Sequence, residues 1–252
     1  MPNKLIYPAG TTPACQYAAG LLSDLGYALT DHPAPEITHL LLDVPSFRSD
    51  GLLRNGDDPE KLLSMLPENV TVIGGNLNHQ ALAGRKRLDL LQDTVYLARN
   101  AAITAHCALE VAAPLLKTTF ADTPTLILGW GRIGKCLAKL LKGLHCPVTV
   151  AARKEADRAM LKALDYETVD YGQLPNILPQ FRLLFNTVPA AVLDTEVLSR
   201  CCNCTKIELA SGKALDGPDV VIAQGLPGIH APESSGRLIA QSIFRLWKEQ
   251  ST

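Results

Sequence analysis

The chain has 252 residues with a formal net charge of −1, of which 47% are hydrophobic and 19% charged. That length suits two small domains or one large one with a substantial core. The near-neutral balance argues against a nucleic-acid partner or an acidic membrane surface, and no apolar run approaches the roughly 20 residues that span a bilayer. The opening Met1-Pro2-Asn3-Lys4 stretch carries one cation and no hydrophobic region of the signal-peptide kind. Seven cysteines, odd in number and irregularly spaced, fit a reducing compartment. A cytoplasmic protein is expected.

Residues 1–95 read as an N-terminal α/β lobe. Leu5-Ile6-Tyr7 forms a short strand and Pro13 to Gly26 a helix ending on glycine. Thr38 to Val44 and Val70 to Gly74 read as two further strands. Each runs into a loop at its carboxyl end, Pro45-Ser46-Phe47-Arg48 and Gly74-Gly75-Asn76. Ligands of open α/β sheets bind at such edges, so Ser46 is a candidate substrate contact. Residues 51–69 read as an irregular connection with a short helix near Glu60 to Leu66. The apolar stretch Asp93 to Thr118 predicts a strand and loop followed by a long helix over 96–118 that joins the lobes. Asn100, Thr104 and His106 are set in it. The four-residue spacing of Asn100 and Thr104 puts them on one helical face.

Residues 119–231 read as a dinucleotide-binding lobe. Leu126-Ile127-Leu128 is an apolar run that ends on Gly129-Trp130-Gly131-Arg132-Ile133-Gly134. Leu137, Leu140, Leu141 and Leu144 then follow at helical spacing. A strand, a G-x-G-x-x-G turn and a helix in that order are the context the dinucleotide fingerprint requires. The glycines permit a tight turn, close approach of a pyrophosphate and close helix packing, while the helix start offers free N–H groups to phosphate. The next strand, Val148 to Ala151, leads into Ala152-Arg153-Lys154. An NAD site places Asp or Glu there for the ribose 2′-hydroxyl; cations at that place suit a 2′-phosphate and favour NADP.

Further strands are predicted near 166–169, 183–187, 205–210 and 219–223, completing a doubly wound parallel sheet. Asn186-Thr187-Val188-Pro189 follows the fourth of the lobe's strands, the position that lies beside a nicotinamide ribose. Cys201-Cys202-Asn203-Cys204 has no accompanying histidines or second pair, so it reads as thiols at a strand start rather than as a metal site. Gly225-Leu226-Pro227-Gly228 through His230 to Gly236 reads as a loop of defined shape over the cleft. Residues 232–250 predict a helix with Leu238, Ile239, Ile243, Phe244 and Trp247 on one face, packing back on the first lobe.

Four blocks together resemble the dipicolinate synthase A subunits of spore-forming bacteria. They are Asn100 to Ala105, Gly129 to Gly134 with Ala152-Arg153, Phe185 to Pro189, and Gly225 to Gly236. The resemblance implies two Rossmann-like lobes and an NADP-dependent oxidoreductase of sporulation. Its reaction would be oxidation of a dihydrodipicolinate-type compound, or its hydroxylated tetrahydro precursor, to dipicolinate. A flavoprotein-like B subunit would be its partner, and self-association into a homo-oligomer is expected.

The chain departs from the pattern at His106-Cys107, where an acidic residue and glycine are expected. It departs again at Gly212-Lys213-Ala214, where the family carries proline and two glycines. Such a reaction needs a hydride acceptor, a base and a pocket for two carboxylates. His106 and His230 are candidate bases, and Ser46, Asn100 and Thr104 candidate substrate ligands. The cofactor set is Gly129, Trp130, Gly131, Arg132, Ile133, Gly134, Arg153, Lys154, Asn186, Thr187, Val188, Pro189, Gly225, Leu226 and Pro227. Two alternatives remain: another NADP-dependent dehydrogenase of a small carboxylated metabolite, and a non-catalytic regulatory protein that binds NADP.

Overall fold

A computed structural model describes residues 4–212, 214, 215, 217 and 219–249. Met1, Pro2, Asn3 and Lys213, named above, and residue 250 of the expected last helix lie outside the described residues. The chain divides into two compact units, Met1–Asn100 with Pro227–Thr252, and Ala101–Leu226.

The first unit comprises β1 (Leu5–Pro8), α1 (Pro13–Asp24), β2 (Ala28–Leu29), β3 (His39–Leu41), α2 (Pro59–Ser64), β4 (Thr71–Gly74) and β5 (Arg87–Asp89). Its five strands are all parallel, in the order β2-β1-β3-β4-β5. One core face gathers Ile37, Leu40, Leu42, Val70, Val72 and Leu77.

α3 (Thr94–Ala112) runs across the boundary between the units. It replaces the strand and loop expected after Asp93. The Asp93 carboxylate accepts from the amides of Val95 and Tyr96, and so starts the helix at once. Short 3₁₀ turns over 113–115 and 120–122 take the place of the expected helical continuation to 118.

The second unit holds β6 (Thr125–Leu128), α4 (Arg132–Gly143), β7 (Val148–Ala151), α5 (Glu155–Ala163), β8 (Glu167–Val169), α6 (Leu174–Ile177), β9 (Leu183–Asn186), α7 (Thr195–Ser199), β10 (Thr205–Glu208) and β11 (Val220–Ile222). β6 and β9 are buried along their whole length, as a central parallel strand must be. The six strands are parallel in the order β11-β10-β9-β6-β7-β8. Counted from β6 this is the 3-2-1-4-5-6 order of dinucleotide-binding sheets, with its switch point between β6 and β9. The first unit instead follows the 2-1-3-4-5 order, whose switch point lies between β1 and β3.

The Gly225–Gly236 stretch is helical rather than a loop. Gly225, at φ +67°, turns the chain into α8 (Leu226–His230), and α9 (Pro232–Glu249) follows. Within the first unit α9 lies tightly on α1: a side chain at Gly236 would meet the Ala14 carbonyl at 2.4 Å. Trp247 packs on Tyr27 and His39, with ring centroids at 4.9 and 5.0 Å. Arg245 ion-pairs with Asp93 and joins α9 to the start of α3.

Candidate functional site

The carboxyl ends of β6 and β9 meet at the switch point of the second unit. Gly129 leaves β6 at φ +101°, in the left-handed region that glycine adopts without penalty. A Cβ there would stand 2.7 Å from Val188 Cγ2 and 2.8 Å from Thr187 Oγ1. The Thr187 hydroxyl donates to the Leu128 carbonyl at 2.8 Å and pins the two turns together. At Gly134 a Cβ would stand 2.3 Å from the Gly129 carbonyl, so this glycine lets α4 close on the turn. Gly131 differs: a Cβ there would meet nothing within 4 Å. Two of the three glycines are thus required by the protein, and the third keeps space open outside it.

That open space faces an unfilled helix start. Gly131 is the N-cap of α4, no side chain caps it, and no acidic residue occupies the first turn. The leading amides therefore carry partial positive charge toward whatever lies beyond. The equivalent place in the first unit is already filled. There the Asp43 carboxylate, buried beyond β3, accepts from the amides of Thr11 and Thr12 at 3.1 and 3.0 Å, at the start of α1. Gly10 is packed tightly there, because a Cβ would collide with Cys15 Sγ at 2.4 Å and with Asp43. Of the two switch points, one holds its own carboxylate at a helix start, and at the other no side chain caps the helix.

At the end of β7 the chain turns through buried Ala152 to exposed Arg153 and Lys154. Neither side chain is ion-paired among the described residues. The nearby acid, Asp170, is held by Arg158 at 2.8 Å, and Arg158 also donates to the carbonyls of Ala152 and Arg153. The turn is thereby stiffened, and two cations stand on its rim.

Beyond β9, Asn186 is buried and its side chain is fully occupied within the protein. Its Nδ2 donates to both oxygens of Glu208, at 2.9 and 2.8 Å, and to the Val188 carbonyl at 3.0 Å. Its Oδ1 accepts from the Val188 amide. Glu208, at the end of β10, also accepts from the amides of Ala210 and Leu215 at 2.8 Å each. Asn186 therefore shapes the turn rather than presenting its amide to a ligand. Val188 is partly buried and Pro189 exposed in that turn.

Trp130 is half-buried, with its ring 5.8 Å from Tyr166. Arg132 is exposed at the first residue of α4, and Ile133 is half-buried. Gly225 is exposed at the turn into α8, while Leu226 and Pro227 are buried. On α3, Asn100 is half-buried, Thr104 buried and His106 exposed. His230 is exposed at the end of α8. Ser46 is buried, its hydroxyl donating to the Asp43 carbonyl at 2.7 Å and accepting from the Gly75 amide at 3.1 Å. This hydroxyl braces the loops beyond β3 and β4.

Three residues at these edges escape a sequence reading. Glu208 and Asp43 are single acids at strand ends, and only the assembled sheet brings their donors together. His79, beyond β4, stacks on Phe47 at 4.3 Å and accepts from the Ala81 amide through Nδ1 at 3.2 Å. That bond leaves Nε2 as the proton-bearing nitrogen of the neutral ring. Among the described residues, no cluster of three or more His, Cys, Asp or Glu could hold a metal ion, and no helix is long and apolar enough to cross a membrane.

Comparison with known proteins agrees with this architecture. No family model matches the chain. It is 24% identical over 237 residues to the A subunit of dipicolinate synthase from Bacillus subtilis, covering 86% of this chain and 80% of that one. The crystal structure of the Bacillus halodurans dipicolinate synthase A subunit superposes with a TM-score of 0.84 at 20% identity, over 97% of both chains. The transhydrogenase of Sinorhizobium meliloti superposes at 0.71 with 12% identity, over 98% of this chain and 94% of that one. The fold is that of two parallel α/β units of the dehydrogenase type. Along most of its length the sequence is similar to the A subunit of dipicolinate synthase.

Proposed function

We propose that the chain is a dipicolinate synthase A-type protein, an NADP-dependent oxidoreductase. It would oxidise dihydrodipicolinate, or the hydroxylated tetrahydro compound that precedes it, to dipicolinate. The observation that carries the cofactor reading is the open Gly131 position before the uncapped start of α4, set against the carboxylate-filled start of α1. When bound, a nicotinamide dinucleotide supplies the hydride acceptor that ring oxidation requires. The chain's own residues do the positioning. The amides of α4 would take the pyrophosphate, Arg153 and Lys154 the 2′-phosphate, and the turn held by Asn186 and Thr187 would border the nicotinamide ribose. Absence of a carboxylate at the end of β7 favours NADP over NAD.

The substrate reading is supported by the likeness to the A subunit of dipicolinate synthase. Asn100 and Thr104 on α3 are the proposed carboxylate ligands. Proton removal falls to a histidine, His106 or His230. A flavoprotein-like B subunit, homo-oligomeric assembly and a cytoplasmic location complete the proposal.

The test is reduction of NADP with freshly generated hydroxytetrahydrodipicolinate, with and without a candidate B subunit, following dipicolinate as product. Dipicolinate formed in step with NADPH supports the reading. Tight NADP binding with no dipicolinate under either condition would reject the substrate. It would favour another carboxylated metabolite or a regulatory NADP-binding role.

A further inference from the structure

The Cys201–Cys204 segment is left unused by the proposed function, and it lies at the opposite edge of the second unit's sheet. Cys201 follows the end of α7, residues 202 and 203 form a tight turn, and Cys204 immediately precedes β10. The first and fourth residues of such a turn have Cα atoms within about 7 Å, which falls in the range a disulfide bridges. Both side chains point into one buried cluster with Leu174, Leu178 and Leu198. Cys201 Sγ also donates to the Leu178 carbonyl at 3.4 Å.

The two thiols act on each other. The neighbouring Cys204 thiol is the main influence that lowers Cys201, with Lys206 and Arg182 adding to it; in the structure Cys204 Sγ donates to the Thr205 carbonyl at 3.5 Å. Cys204 is pushed up by the same contact and by burial. The solitary thiols Cys15, Cys107 and Cys146 are all pushed up by burial instead. The pair titrates as a unit: while one sulfur is a thiolate, the other keeps its S–H.

Access comes from the other side of the pair. Cys204 lines a cavity of about 660 Å³ together with Lys117, Gln180, Arg182, Cys202 and Asn203. Pro124, Arg182 and Thr205 place that cavity at the amino ends of β6, β9 and β10, away from Gly129 and Thr187. Of the pair, Cys204 is the sulfur that borders this cavity, beside exposed Cys202.

From the turn, the shared cluster and the cavity we infer that Cys201 and Cys204 form a reversible dithiol–disulfide pair. In the first step Cys204 displaces one thiol, RSH, from a low-molecular-weight disulfide RSSR and becomes a mixed disulfide. In the second, Cys201 attacks Cys204 Sγ and expels the second RSH. Two protein S–H groups are oxidised to one S–S bond, and one RSSR is reduced to two RSH. Exposed Cys202, between them, takes no part in the final bond. A compartment that keeps thiols reduced hosts such bonds as transient or sensing ones.

The test uses the full-length Cys202→Ser protein, folded and exposed to oxidised glutathione, then alkylated under denaturing conditions and cut with trypsin. Cleavage after Arg200 and Lys206 isolates residues 201–206. The expected peptide is lighter by two hydrogens, has lost both alkylation sites, and regains them after dithiothreitol. In the protein carrying both Cys201→Ser and Cys202→Ser, glutathione should instead remain on Cys204, because no second thiol expels it. Full alkylation of Cys201 and Cys204 in the Cys202→Ser protein would overturn the inference. So would a glutathione adduct that persists on Cys204 while Cys201 is intact. A melting curve of each variant confirms that the exposed protein was folded.

Discussion

Asn186 and Glu208 meet side chain to side chain beneath the turn that follows β9, both removed from solvent. Four N–H bonds from three segments converge on the Glu208 carboxylate: two from Asn186, one from Ala210 and one from Leu215. A carboxylate offers acceptors at both oxygens and donors at neither, so it matches this set where an amide could not. The pair fixes the turn that borders the switch point and ties it to the segment after β10.

Glu208→Gln tests that match. The amide would put a donor against donors already in place and leave buried N–H groups unsatisfied, at about 2–3 kcal/mol. Urea unfolding should show that loss, and NADP affinity should fall with it as the turn slackens. A variant as stable as the parent would show that the convergence is incidental.

The glycines separate fold from ligand. Gly134→Ala drives a methyl to 2.3 Å from the Gly129 carbonyl, a backbone atom that cannot swing aside. Overpacking of this kind costs roughly 1–3 kcal/mol. Gly131→Ala meets no protein atom, so its stability change should stay within about 1 kcal/mol. Its methyl would nonetheless occupy the approach to the amides of α4. Calorimetric titration should show NADP binding weakened at least about tenfold, or some 1.4 kcal/mol, in a protein that melts normally. Unchanged NADP binding by Gly131→Ala would remove the pyrophosphate from this turn.

The dinucleotide unit was legible because its signal is local: an apolar run, three glycines and a helical repeat lie within some 20 residues of one another. The cations at the end of β7 were legible for the same reason. The edge strands of the first unit were not, since Ala28–Leu29 is two residues long and Arg87–Asp89 alternates charge around one leucine. The start of α3 carried a readable sign in Asp93-Thr94, yet the Ala- and Val-rich run after it fits strand and helix alike. The roles of Asp43, Ser46 and Glu208 depend on donors that are distant in sequence, such as Thr12 for Asp43 and Gly75 for Ser46. No spacing rule reaches that far. Asn186 belongs with them: its bonds to Glu208, 22 residues away, are likewise invisible to a spacing rule.

Arg153 is the test of cofactor choice. A guanidinium can bind a 2′-phosphate through paired, charge-assisted bonds, and no carboxylate competes for Arg153 among the described residues. Arg153→Ala should weaken NADP binding by roughly 1.5–3 kcal/mol and leave NAD binding nearly unchanged. The ratio of the two dissociation constants, measured by fluorescence or calorimetry, checks it. Equal losses for both dinucleotides would mean that Arg153 stabilises the turn rather than reading the phosphate.

His39 makes the first unit sensitive to acid. Its ring is buried against the edge of Trp247, at 5.0 Å between centroids, and Nδ1 lies 2.8 Å from Thr38 Oγ1. Burial, with Lys4 adding a like charge, lowers its pKa from 6.5 to about 4. The unfolded chain therefore takes up this proton first as pH falls. Its contribution to stability is complete above pH 6.5, declines between 6.5 and about 4, and levels off below that, where both states are protonated. The full change corresponds to about 3 kcal/mol. His39→Gln removes the titrating group while keeping a polar side chain beside Thr38. Urea unfolding at pH 7 and pH 4.5 should show a clearly smaller loss for His39→Gln than for the parent, and equal losses would place the acid sensitivity elsewhere.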